Sequence, residues 1–186
     1  MSIISYAEYK LLFNKIKMID QTEYYLQRYV IEQLISSVNP KLDVIDVSVQ
    51  RYSSKSKKHD KYQYTGSTLP DLLIVKEWNY YNVVNKLDYR AVVEVKTPFT
   101  REDGELSEAI DLFEKNIDRI EVLLKGEKNN KVILTNGIQW YFINNHNYAN
   151  SNSYDIKFIL FENNKWINSE VYDELINYLY LFCNQD

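Results

Sequence analysis

Apolar positions along the chain recur at two periods. Residues 5 to 18 and 21 to 38 follow the three-to-four spacing of amphipathic helices, and in the second stretch Leu26, Val30, Ile31, Leu34, Ile35 and Val38 fall in one stripe. Asp20 is placed to cap this second helix, and Asn39-Pro40 to end it. "LDVIDVSVQRY" then alternates with period two, as a half-buried strand does. "PDLLIVKEW" and "YRAVVEVK" read as two further strands, with a turn or long hairpin in the Asn- and Tyr-rich segment between them. Helical spacing returns over residues 104 to 124, where Leu106, Ala109, Ile110, Phe113, Ile117, Ile120 and Leu124 share a side. "KVILTNGIQWYFI" predicts two short strands around Asn136-Gly137, a strong signal for a tight hairpin. "YDIKFILFE" reads as another strand, and "SEVYDELINYLYLF" as a closing helix with Ser169 as its cap. Helices, a run of strands, a helix, more strands and a final helix predict an α/β chain, a mixed sheet with helices packed on it.

Composition narrows the class. A chain of 186 residues with 45% hydrophobic content suits one domain with a substantial core, and no repeat or low-complexity linker marks an internal boundary. Cys183 is the lone cysteine, which leaves no internal disulfide and makes the cytoplasm the expected compartment. No apolar run approaches the roughly 18 residues of a membrane span. The N-terminal stretch is amphipathic and lacks the apolar block of a signal peptide. A net charge of -4 argues against a protein that merely coats nucleic acid. An acidic nucleic-acid enzyme needs its basic residues grouped, and "RYSSKSKKHDK" groups Arg51, Lys55, Lys57, Lys58 and Lys61. This stretch is either a solvated loop or one that contacts phosphates. His59 and His146 are far apart in sequence and carry no metal-ligand spacing, so both read as surface residues.

The third strand holds a chemical oddity. Glu94 and Lys96 share one face with Val92, while Ala91, Val93 and Val95 face the other way. A buried charge without a partner is costly, so the two either pair, reach solvent or serve a site. Asp71 opens the preceding strand. A hairpin centred near Asn82-Val83 sets it opposite Glu94, where like charges repel unless a cation or a proton intervenes. Carboxylates are hard oxygen ligands of the kind magnesium or manganese takes. Lys96 is then diagonal to Asp71. Glu23 falls near the centre of the second helix's apolar stripe, which calls for a partner; equally, Asp20 and Glu23 have capping-box spacing.

Together, Pro70-Asp71 and Glu94-Val95-Lys96 resemble the motif of the PD-(D/E)XK nucleases, the restriction-endonuclease-like superfamily. The context agrees: "PD" opens a strand, "VVEVK" ends the next, a "TE" lies on an upstream helix and an amphipathic helix follows. "VILTNGIQWYFI" resembles the "LTNG…W" segment of the branch that includes the N-terminal nuclease domains of type I restriction enzyme motor subunits. That branch often carries a Gln, then a Tyr four residues on, in the helix after the Lys. "AIDLFEKNIDRIEVLL" has neither, and Asn116 is its nearest polar candidate. The resemblance spans residues 20 to 143, with 1 to 19 as a helical extension and 144 to 186 as a C-terminal strand and helix of the same domain. It implies a central mixed sheet flanked by helices and metal-dependent hydrolysis of DNA phosphodiesters, in a restriction, phage-defence, repair or mobile-element system. Asp71, Glu94, the Val95 carbonyl and Glu23 would hold magnesium or manganese, and Lys96 would complete the catalytic set. A homodimer, or a protein partner from a restriction or defence complex, is also implied. The alternative is a catalytically silent module of the same fold that binds DNA or a defence protein.

Overall fold

A computed structural model describes residues 2–48, 69–77, 88–100, 104–107, 112–125 and 130–185. The basic stretch with Arg51, Lys55, Lys57, Lys58 and Lys61 lies outside them, as do Tyr80 and Tyr81.

Helix α1 (Tyr6–Ile19) opens on a capping box: Ser5 Oγ accepts the Glu8 N–H, and the Glu8 carboxylate accepts the Ser5 N–H. Tyr9, Phe13 and Ile16, spaced four and three apart, are its buried face. The second helix is continuous but not uniform. It runs as α2 (Glu23–Leu26), a π-helical turn (Gln27–Ile31) and α3 (Glu32–Val38), and ends at Asn39 as the sequence indicates. Its start differs from expectation. Thr22 is the N-cap, while Asp20 ends α1 and accepts the Thr22 N–H at 3.0 Å. No capping box joins Asp20 to Glu23. Glu23 is exposed rather than buried in the stripe: it is the first residue of the helix, one turn before the buried Leu26 and Gln27, where the stripe has run past the edge of the core.

Six strands form the main sheet in chain order: β1 (Leu42–Asp46), β2 (Leu72–Lys76), β3 (Asp88–Val95), β4 (Lys131–Thr135), β5 (Gln139–Asn144) and β6 (Ile156–Ile159). Every neighbouring pair is antiparallel except β3 and β4, which are parallel. The chain between those two carries α4 (Ile117–Leu124), as a parallel connection requires. Beyond the sheet come α5 (Asn145–Ser151), a small hairpin of β7 (Phe161–Glu162) and β8 (Lys165–Trp166), and α6 (Ser169–Asn184). Asn168, one residue before the expected Ser169, caps α6 by accepting the Val171 N–H.

Alternation along the strands builds two cores. Leu72, Ile74, Ala91, Val93, Val95, Ile133, Trp140 and Phe142 face α1, the second helix and α6. Leu73, Val75, Val92, Leu134 and Tyr141 face α4 and Tyr148 of α5. Such strands, buried on both sides, read as nearly continuous apolar runs.

The helix expected over 104 to 124 is shorter among the described residues. It begins at Ile117 after a 3-10 turn at Glu114–Asn116. Gly104 has φ of 68°, Leu106 makes a β-bridge with Phe99, and the Ser107 N–H donates to the Pro98 carbonyl at 2.9 Å. Residues 104–107 thus fold back along the continuation of β3. The Asn136-Gly137 turn lies where the sequence places it. Gly137, at φ 80°, packs so close to the Phe13 ring that a Cβ would collide with it, and its carbonyl accepts Tyr9 Oη at 2.6 Å.

Candidate functional site

The site lies where the N-terminal end of β2 meets the C-terminal end of β3. The β2–β3 ladder pairs Leu72 with Val93 and Leu73 with Val92, so one further step sets Asp71 against Glu94. A shift in register occurs between Ile74 and Val75, on the side away from the site, and leaves this end in phase. The Asp71 N–H donates to the Val93 carbonyl at 3.0 Å, and the Val95 N–H donates to Asp71 Oδ2 at 2.7 Å. On the other edge, the Lys96 N–H donates to the Thr135 carbonyl of β4 at 2.9 Å, which holds the end of β3 in the sheet.

Glu94 is the buried acid: its side chain is 4% exposed. Two cations compensate it. Lys96 Nζ donates to Glu94 Oε1 at 2.8 Å and to the Val95 carbonyl at 3.0 Å. Arg119 Nη2, from α4, donates to Glu94 Oε2 at 2.8 Å and to the Leu69 carbonyl at 2.6 Å. The buried Nε–H of Arg119 meets no acceptor among the described residues. Charges here are felt strongly. Burial, then the neighbouring Glu94, push Asp71 up to about 6, against the pull of the Val95 N–H and Lys96. For Lys96, burial works to lower the pKa, but Glu94, Glu23 and Asp71 together outweigh it and raise the group above its ordinary value.

Asp71, Glu94, Val95 and Lys96 are therefore brought together. Glu23 stands apart on an exposed turn, near enough for its charge to act on both Asp71 and Lys96. With Lys96 it lines an open cleft of about 640 Å³, whose other walls are Thr97 to Thr100, Ser107, Leu112, Lys115, Asn116 and Asn136. Asn116 bonds locally, donating to the Leu112 carbonyl at 2.8 Å. His146 is exposed on α5. Arg119 is absent from the sequence-based reading. Its position one helical turn before the buried Leu123 was the available signal, since it puts a charge beside the apolar side of α4.

The donor set suits a hard divalent cation. Glu94 Oε1 and the Val95 carbonyl already converge on one cation, the Lys96 ammonium, and Asp71 adds a carboxylate that the Glu94 charge repels. No three Asp, Glu, His or Cys side chains among the described residues are grouped closely enough to hold a metal, so the set is two carboxylates and a carbonyl, with Glu23 outside it.

No family model and no curated protein matches the sequence. Among solved structures, the fold is similar to a chain of the DrdV–DNA complex determined by cryo-electron microscopy. The TM-score is 0.54 over 94% of this chain and 94% of that one, at 12% identity. At that identity the likeness is one of fold: a six-stranded mixed sheet flanked by helices, the restriction-endonuclease-like arrangement. No helix among the described residues is long and apolar enough to cross a membrane.

Proposed function

We propose that the chain is a divalent-metal-dependent nuclease of PD-(D/E)XK type that hydrolyses phosphodiester bonds in DNA. The observation that carries this is the convergence of Asp71, Glu94, the Val95 carbonyl and Lys96 at one end of β3, beside an open cleft. DNA as substrate draws on the fold likeness to a protein solved with DNA and on the basic stretch holding Arg51, Lys55, Lys57, Lys58 and Lys61.

Asp71, Glu94 and the Val95 carbonyl would hold magnesium or manganese. When bound, such an ion supplies polarisation of a phosphoryl oxygen and a lowered pKa for water. Hydrolysis forms one P–O bond from water and breaks another. Lys96 contributes by turning from Glu94 towards the cleft it already lines, where its ammonium orients the attacking water and stabilises charge growing on the phosphoryl oxygens. Arg119 keeps Glu94 fixed from behind while Lys96 moves. Glu23, which lines the cleft, would hold a water of the site rather than the ion itself. Two copies would cut both strands of a duplex and one would nick it.

A second reading rests on the double pairing of Glu94, which leaves both its oxygens occupied. In it, the same fold grips DNA, or a defence-system protein, without cutting. Supercoiled plasmid and single-stranded DNA, incubated with magnesium or manganese and then with EDTA, separate the two. The nuclease reading expects metal-dependent nicking or linearisation that falls by about 100-fold or more in Lys96→Ala. DNA retention without cleavage, equal in wild type and Lys96→Ala, supports the silent module and rejects the enzyme.

A further inference from the structure

We infer that the site takes a single divalent cation, because the anchored Arg119 guanidinium sets a positive charge at Glu94 Oε2, where a second would have to bind. This rests on the metal-dependent reading above. Asp71 and Glu94 offer four carboxylate oxygens, and Val95 a carbonyl. Two of the four already accept one fixed donor each: Glu94 Oε2 from the Arg119 guanidinium at 2.8 Å, and Asp71 Oδ2 from the Val95 N–H at 2.7 Å. The Arg119 bond is an anchored one, since the same nitrogen is bonded to the Leu69 carbonyl and the Glu94 side chain is 4% exposed. Three oxygens have no fixed donor: Glu94 Oε1, Asp71 Oδ1 and the Val95 carbonyl. Among the described residues the first and last accept only from Lys96, whose side chain is 28% exposed and borders a cleft it can enter. Lys96 is exchangeable for an ion; Arg119 is not.

Paired ions about 3.5–4 Å apart share bridging oxygens. Here a second ion beside Glu94 would sit against a guanidinium. Net charge agrees. Asp71, Glu94 and Glu23 against Lys96 and Arg119 leave one negative charge when all are ionised. One divalent ion reverses its sign, and a second would add two more positive charges before any phosphate arrived.

Manganese binding to the intact chain, followed by electron paramagnetic resonance and calorimetry, tests this without an activity assay. The wild type is expected to take one ion at the site and to show no exchange-coupled pair. Arg119→Met should gain a second ion and the coupled spectrum, and Arg119→Lys, which keeps the charge, should stay at one. If Arg119→Met does not fold, Arg119→Gln and the wild-type count decide in the same way. A coupled pair in the wild type overturns the inference, and so does a folded Arg119→Met that still takes one ion. No manganese bound by the wild type contradicts the metal-dependent reading itself, and this inference falls with it.

Discussion

Asp71 is the residue where burial and charge meet most directly. Its folded pKa of about 6 lies above the ordinary 3.8. The folded state therefore holds a proton that the unfolded chain has already released between those values. Stability from this group is full below the ordinary pKa and is lost as pH rises through about 6. Asp71→Asn should remove that loss. Urea unfolding of the metal-free protein at pH 7 is expected to show the variant more stable by on the order of 1 kcal/mol, with a flatter profile between pH 4 and 6. A less stable variant would contradict the assignment. Glu94 should behave oppositely. Glu94→Gln leaves Lys96 and Arg119 without their anion, and a loss of about 2–3 kcal/mol is expected in the same experiment. Much of this site was legible in the sequence. Period two puts Glu94 and Lys96 on one face, and Asp71 joins them only through an assumed hairpin register, which the β2–β3 pairing matches at this end. Arg119 could not be placed. Its bond to Glu94 spans 25 residues and depends on how α4 docks, which no local period encodes.

Elements differed in legibility for similar reasons. β2, β3, β4 and β5 are apolar runs bounded by turn residues, and they lie where the pattern puts them. The second helix was legible in the sequence, but its π turn was not, and neither was the core ending before Glu23, the first residue of the helix. The stretch from 104 to 107 has helical spacing yet pairs with Phe99, because Gly104 takes a backbone conformation that ends a helix. Helix α5 has no apolar period to reveal it because it is short and polar, and strand β8 is only two residues long. The "LTNG" turn gains a physical rationale from its docking. Thr135 Oγ1 accepts the Gly137 N–H at 2.8 Å, and Tyr9 and Phe13 of α1 close over the glycine. Gly137→Ala must both strain a positive φ and displace Phe13. Its thermal melt should show a loss of about 2–4 kcal/mol, and a near-neutral effect would mean α1 is not seated there.

At the scale of the molecule, α6 closes the larger core and carries the single thiol inward. Cys183 is 2% exposed, and burial pushes its thiol up to about 12 despite the opposing charges of Lys131 and Arg90. A neutral, buried thiol is inert. Cys183 should therefore resist maleimide or disulfide reagents in the native state and react only as the whole chain unfolds, at a rate that follows the global transition. Rapid labelling in native buffer would show α6 opening independently of the sheet. The fold brings sheet, α4 and the cleft to one end, and the functional account depends on that end holding a cation. Manganese soaked into crystals of the protein tests this most directly, through its anomalous scattering. The account predicts a single peak bounded by Asp71, Glu94 and the Val95 carbonyl, with the Lys96 ammonium displaced towards the cleft. Lys96 still bonded to Glu94 and the Val95 carbonyl at saturating manganese, with no peak between the two carboxylates, would contradict it.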